Sequence, residues 1–480
     1  MSAPDAPSRG LRLLPSVEEV LQLPAVAALE PRFPRSLVLE LVRQTLDAWR
    51  AEIKESQLPP AEVEERLAGG GLERAVLERA AAEARKGLRR AVNATGVVLH
   101  TGLGRAPVHP EVARAMAEAA CAYSILEVER ESGARSERDA HLGELLARLS
   151  GAEAGIAVNN NAAAVYLALH AFASAERREV VVSRGELVEI GGSFRIPDVM
   201  AHAGVVLREV GTTNRTRIAD YRAAAGPRTA LLMKVHTSNF RVEGFVQEVE
   251  ARELAELGRE LGLPSAFDLG SGLLEGPGCE PIAGLEREPR VREAIASGVD
   301  VVTFSGDKLL GAPQAGLVVG KRQAVALLRK SPVYRALRLD KVAIAGLERT
   351  LEMYSSGRGE ELPARAMLRL TADELRPRAE ELARRLGALS PVRCEVIAGE
   401  SQPGSGSAPG VFLPTWVVQV VVAGLSAEDL ASALRRGEPP VFARIHEGAL
   451  LIDPRTLLEG DEERVVRAFE GVGRGRGEES

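Results

Sequence analysis

Between residues 152 and 320 the chain repeats one rhythm: a short apolar run ending in polar or glycine residues, then a segment of helical periodicity. The runs cover residues 155–158, 179–183, 205–210, 229–235, 265–268, 301–304 and 316–319. Apolar runs of this length bounded by turn residues read as buried strands. Strands alternating with helices predict an α/β fold with a mostly parallel sheet and crossover helices on both faces. In such a sheet the ligand sits beyond the carboxyl ends of the strands, so the residues that follow each run are where chemistry is sought.

The flanks carry different patterns. Upstream, Val38, Val42, Leu46 and Trp49, and again Leu72, Val76 and Leu77, recur at helical spacing, punctuated by Pro59, Pro60 and residues 69–71. They predict a helical N-terminal domain over residues 1–90, ahead of a catalytic domain over 91–362. Downstream, a helix over 375–389, a glycine-serine loop over 401–410, a helix over 427–436, strands, and a last helix over 462–469 predict a small α/β domain spanning 363–470. The polar, glycine-rich residues 471–480 read as a disordered tail. At 480 residues the chain is too long for one ordinary core, which agrees with this division.

Composition narrows the class. Hydrophobic residues make up 45% and charged residues 27%, the balance of a soluble globular protein. No apolar run approaches the roughly 20 residues that span a bilayer, and no basic, then apolar, leader opens the chain. The expectation is a cytoplasmic protein without membrane contact. Cys121, Cys279 and Cys394 are scattered and form neither a disulfide framework nor a zinc site. The seven histidines show no metal-ligand spacing. A formal charge of −6 argues against a surface coated for nucleic acid, but local basic patches remain compatible with it.

Chemistry gathers at the strand ends. Ser305-Gly306-Asp307-Lys308 follows the run 301–304, and Asp268 ends the run one crossover earlier, so a lysine and a carboxylate emerge from the same sheet edge. A lone surface lysine is ordinary and an aspartate at a strand end is often a cap. Together they are the pair that pyridoxal phosphate demands: an amine to carry the aldehyde and an acid to keep the pyridine nitrogen protonated. Asn160, Asn161 and Ala162 open a helix after the run 155–158, where unpaired N–H groups suit a phosphate; an N-cap without ligand would look alike. Ser305 could add a hydroxyl to that phosphate, and His236, directly after the run 229–235, could stack on a cofactor ring or simply pack. Ser305-x-x-Lys308 also matches the nucleophile motif of penicillin-recognising enzymes, but the companion Ser-Asp-Asn and Lys-Thr-Gly motifs are absent.

Six ordered blocks, residues 91–106, 158–165, 184–198, 211–216, 235–240 and 305–314, closely resemble bacterial selenocysteine synthases, the L-seryl-tRNA(Sec) selenium transferases. The likeness departs at Ala312, where glycine is expected, and at Leu103, where asparagine is common. It implies a fold-type I pyridoxal-phosphate enzyme that exchanges its lysine for the amine of serine esterified to tRNA(Sec). Elimination of the hydroxyl then gives a dehydroalanyl intermediate, to which selenophosphate adds. It also points to Arg105, Arg335 and Arg338 as binders of the selenium donor, and to a ring built from dimers. The helical domain would hold the tRNA, with Arg32, Arg35, Arg43, Arg85, Lys86, Arg89 and Arg90 as candidate phosphate contacts. Two alternatives stay open. A lyase acting on small amino acids or amino sugars would not require the helical domain. A tRNA-binding protein without catalysis would not need the Asp268 and Lys308 pair.

Overall fold

A computed structural model of the chain describes residues 6–190, 194–404 and 406–474. It divides into two compact units, Met1–Arg90 and Ala91–Ser480. In the first, the helices Ala6–Leu13, Val17–Leu21, Pro24–Ala27, Arg35–Glu55, Pro60–Ala68 and Gly71–Ala84 enclose a core of Val20, Val38, Val42, Leu46, Leu72 and Val76. The apolar spacing explains the longest of them: Val38, Leu41, Val42, Thr45, Leu46, Trp49 and Ile53 form one buried stripe. Ser16 and Glu19 close a reciprocal capping box on the helix Val17–Leu21, each side chain receiving the other's backbone N–H. The seven basic residues singled out in this unit are all exposed, Arg35 lying 3.7 Å from Glu30 and Lys86 2.6 Å from Glu83.

The second unit opens with β1 (Val92–Ala94). Its large sheet is built from β2 (Ala154–Val158), β3 (Glu179–Ser183), β6 (Val206–Val210), β7 (Thr229–Val235), β8 (Ser265–Gly270), β9 (Val301–Ser305) and β10 (Gly316–Gly320), with a small hairpin of β4 (Glu189–Ile190) and β5 (Phe194–Arg195) between β3 and β6. The order is β2-β10-β9-β8-β7-β3-β6, and all seven expected runs are present. Only β10 runs antiparallel to its neighbours. Alternate strand positions feed two separate cores. Ile156, Val180, Leu231, Ala266 and Val301 pack with the helix Asn161–Phe172. Ala157, Phe267, Val302 and Phe304 pack with the helices Ala140–Ser150 and Ala251–Leu261. The central strands are apolar at nearly every position because both faces are covered.

A second sheet runs β1-β13-β14-β12-β11, with β11 (Val392–Ser401), β12 (Leu413–Val422), β13 (Val441–His446) and β14 (Ala449–Ile452). Its edge strand comes from Val92–Ala94, paired in parallel with Val441–Ala443, so residues read from sequence as the start of the catalytic segment complete the C-terminal sheet instead. The helices Ala372–Gly387, Ala427–Arg436 and Asp461–Arg474 cover one face of it. Residues 471–474, read as part of a disordered tail, continue that last helix, and 475–480 lie outside the described residues, as do 191–193 of the block 184–198. No helix among the described residues is long and apolar enough to cross a membrane.

One ion pair sits inside the large sheet. Lys234 Nζ donates to Glu186 Oε1 at 2.9 Å, and Glu186 Oε2 accepts the Val235 N–H at 3.0 Å. Burial pushes the Glu186 carboxyl up; for Lys234 the burial that lowers an ammonium is outweighed by Glu186, leaving its pKa above the ordinary lysine value. Removing one partner leaves a buried charge uncompensated. Lys234→Met is therefore expected to cost about 3–5 kcal/mol of stability in urea unfolding, and the pair Lys234→Met with Glu186→Leu to recover most of that loss.

Candidate active site

The register of the large sheet brings the candidate residues together. Asp268 on β8 lies opposite Thr303 on β9, two residues along each strand from Ala266 and Val301 and therefore on the face covered by the helix Asn161–Phe172. The Asp268 carboxylate is buried, and its Oδ1 accepts from Asn161 Nδ2 at 2.8 Å and Thr303 Oγ1 at 3.0 Å. Burial pushes this carboxyl above its ordinary value, against the opposing pull of those two donors.

Asn160 and Asn161 divide the work of the turn after β2. Asn160 is the N-cap, its Oδ1 accepting the Ala163 N–H at 2.9 Å, while Asn161 reaches across to Asp268. The Asn161 and Ala162 amides stand in the first turn of this helix, where backbone N–H groups have no intrahelical acceptor. Gly316 permits this packing: a Cβ there would lie 2.0 Å from the Asn160 carbonyl oxygen. Ser305 closes β9, buried, three residues before Lys308.

Lys308 is also buried, in the loop between β9 and β10. The loop is fixed by its backbone: Leu309 N–H donates to the Ser271 carbonyl at 3.0 Å and Ala312 N–H to the Gly306 carbonyl at 2.9 Å. Ala312, which departs from the expected glycine, keeps this contact. Burial pulls the Lys308 ammonium down, and the neighbouring Arg105 adds to the effect. His236 follows β7, its N–H donating to the Asp268 carbonyl at 2.9 Å and its Nε2 standing 3.3 Å from Glu288 Oε1.

The three arginines do not converge within one chain. Arg105, held at φ +61°, donates to Asp307 Oδ2 at 2.7 Å beside Lys308. Arg335 and Arg338 line a separate cavity of about 250 Å³ together with Arg138, Glu127 and Asp139. Arg338 pairs with Glu127 at 3.5 Å and bridges in backbone to Val158, at the end of β2. Thr303, Glu288 and Asp307 were not found from the sequence. Thr303 had a usable signal, a hydroxyl in an otherwise apolar run two residues before Ser305; Glu288 had none.

A family model described as L-seryl-tRNA selenium transferase matches residues 91–458, and one described as selenocysteine synthase N terminal matches residues 11–50. The chain belongs to the L-seryl-tRNA selenium transferase family. It is 49% identical over 460 residues to the L-seryl-tRNA(Sec) selenium transferase of Geobacter sulfurreducens, covering 95% of this chain and 98% of that one. It is 47% identical to that of Moorella thermoacetica, covering 96% of each. Among solved structures it resembles D-glucosaminate-6-phosphate ammonia-lyase, with a TM-score of 0.57 and 25% identity over 81% of this chain and 96% of that one. The fold is that of fold-type I pyridoxal-phosphate enzymes. A segment that a small-molecule lyase would not require, residues 11–50, is matched by the family's own N-terminal model.

The residues fit pyridoxal phosphate. A buried carboxylate whose ionisation is disfavoured calls for a cationic partner such as a protonated pyridine nitrogen. Asn161 Oδ1 and Ser271 Oγ are buried and find no hydrogen-bond partner among the described residues. Thr303→Val removes one donor to a charged acceptor, so it is expected to weaken cofactor binding by on the order of 1.5–3 kcal/mol in an equilibrium titration, with the fold retained by circular dichroism.

Proposed function

We propose that Lys308 carries the cofactor, that Asp268 faces its pyridine nitrogen, and that Asn160, Asn161, Ala162 and Ser305 form the phosphate end, with His236 against the ring. The observation that carries this reading is the Asp268 and Lys308 pair, both buried at one sheet edge and close enough to act on each other's ionisation. The chain converts L-seryl-tRNA(Sec) to L-selenocysteinyl-tRNA(Sec) in selenoprotein synthesis, with pyridoxal phosphate as cofactor. Bound pyridoxal phosphate supplies a covalent attachment point and an electron sink that eases loss of the α-proton and the hydroxyl of serine.

The chain's own residues divide that work. Asp268 holds a proton at the pyridine nitrogen, and Asn161 and Thr303 fix the carboxylate so that it cannot turn away. Lys308, with its ammonium destabilised by burial and by Arg105, gives up its proton more readily than an exposed lysine, which suits it to move a proton at the reacting centre. Selenophosphate is the donor in this reading. Arg105 stands at the lysine, while Arg335 and Arg338 offer guanidinium forks suited to a phosphate-like anion in a neighbouring cavity. Tyr123 and Ile125, exposed on the segment that carries Glu127 and Arg138, support assembly with a second copy, in line with a ring of dimers. The helical unit, with its exposed arginines, serves to hold the tRNA while the sheet edge handles only the serine.

The test is to mix the purified protein with seryl-tRNA(Sec) and selenophosphate and analyse the esterified amino acid. Selenocysteine is expected from the unsubstituted protein and none from Lys308→Ala; borohydride reduction should fix the cofactor on the peptide containing Lys308. Alanine in place of Arg105, Arg335 or Arg338 should leave cofactor binding intact and slow the selenophosphate step by the equivalent of about 1.5–3 kcal/mol. Donor kinetics unchanged in all three variants would sink the assignment of the arginines.

A further inference from the structure

We infer that Glu288 is a positioning residue of this site, fastening the loop segment 406–410 over Lys308 and holding the ring of His236. The inference rests on the assignment of Lys308 and His236 to the cofactor made above.

Glu288 lies between β8 and the helix Val291–Ala296 and is only 4% exposed. Its Oε2 accepts the Ala408 N–H at 3.1 Å, and the same oxygen is 3.4 Å from His236 Nε2. His236 is in turn tied through its own N–H to the carbonyl of Asp268. One carboxylate therefore reaches both a loop that leaves the C-terminal sheet and a residue directly after β7. Its Oε1, at 3.3 Å from the same imidazole nitrogen, is buried and has no hydrogen bond of good geometry among the described residues. A buried carboxylate held this sparsely is costly as structure alone.

The loop it fastens touches the lysine. Gly406 has φ +83°, and a Cβ there would stand 2.7 Å from Lys308 Nζ. Ala408 holds φ +44°, a left-handed conformation that a non-glycine residue keeps only when tertiary contacts impose it. Its N–H donates to Glu288 and its carbonyl accepts from the Val411 N–H at 3.2 Å, so Glu288 is one of the contacts that hold it there. At the other end, Leu99 N–H donates to the Pro403 carbonyl at 2.8 Å, so the loop is pinned on both sides of Gly406. His236, Glu288 and Ala408 also line a cavity of 640 Å³, which gives the contact an open flank rather than a packed one. Without the carboxylate, the loop would be released from the place where it borders Lys308, and the imidazole from its place after β7.

The experiment compares E288A and E288Q as holoenzymes. It reads the visible circular dichroism of the bound cofactor, its rate of dissociation, the melting temperature, and kcat and KM for seryl-tRNA(Sec). For E288A the expectation is a kcat lower by on the order of 10- to 100-fold, because small misplacements at a reacting centre cost that much. KM should stay within about twofold, as for a residue that does not bind substrate. The dichroism should change and cofactor should leave faster. E288Q keeps an acceptor for the Ala408 N–H and should fall between E288A and the unsubstituted enzyme at an unchanged melting temperature. Should E288A not fold, an altered dichroism and kcat in E288Q at unchanged melting temperature supports the inference, and wild-type values overturn it. Wild-type dichroism and kcat in a folded E288A overturn it too. So do equal losses in both variants that merely track the melting temperature. Borohydride labelling of the unsubstituted enzyme on a lysine other than Lys308 would overturn the underlying assignment as well.

Discussion

A carboxylate removed from water and held by two side-chain donors is the constraint around which this site is arranged. Asp268 draws Asn161 from the turn after β2 and Thr303 from β9, and its backbone carbonyl takes the N–H of His236 at the end of β7. Three other strands of the large sheet thus report to this one residue of β8. Burying a charge without a cationic partner is unfavourable, and neutral donors offset only part of that cost. The same environment that disfavours the Asp268 anion also disfavours the Lys308 cation. In the proposed assignment both groups would gain from a ligand that brings a protonated ring nitrogen to the first and a carbonyl to the second.

The C-terminal sheet takes part in this arrangement through its loop. Ser401, where the loop begins, donates from Oγ to Asp453 and accepts from Arg455 Nε at 2.9 Å. Arg455 is fully buried and spends its other donors on the carbonyls of Met367, Leu370 and Pro414. A guanidinium satisfied from several elements at once fixes their relative placement, because no other side chain offers that many donors in one plane. The root of the loop is therefore rigid, while its tip rests on Glu288 and Lys308.

Much of the large sheet was legible in the sequence because its strands are covered on both faces and read as unbroken apolar runs. The placement of Asp268 and Lys308 at one edge was legible for the same reason, since it follows from which residue ends each run. What escaped was set by contacts distant in sequence. Val92–Ala94 is too short to announce itself as a strand and is defined by its partner Val441–Ala443. Glu288 gains its meaning only when residue 408 folds back onto it, 120 positions later. The run over 401–410 read only as a glycine-serine loop, with nothing to show that Gly406 is small because Lys308 lies beneath it. Resemblance grouped Arg105 with Arg335 and Arg338, while the single chain puts them in different surroundings.

The measurement that bears most directly on this account is the nitrogen-15 resonance of the pyridine ring in enzyme loaded with labelled pyridoxal phosphate. The account predicts a protonated ring nitrogen across the neutral pH range, and a deprotonated one in Asp268→Asn. A ring nitrogen unprotonated in the unsubstituted enzyme, or one unaffected by that substitution, would contradict it.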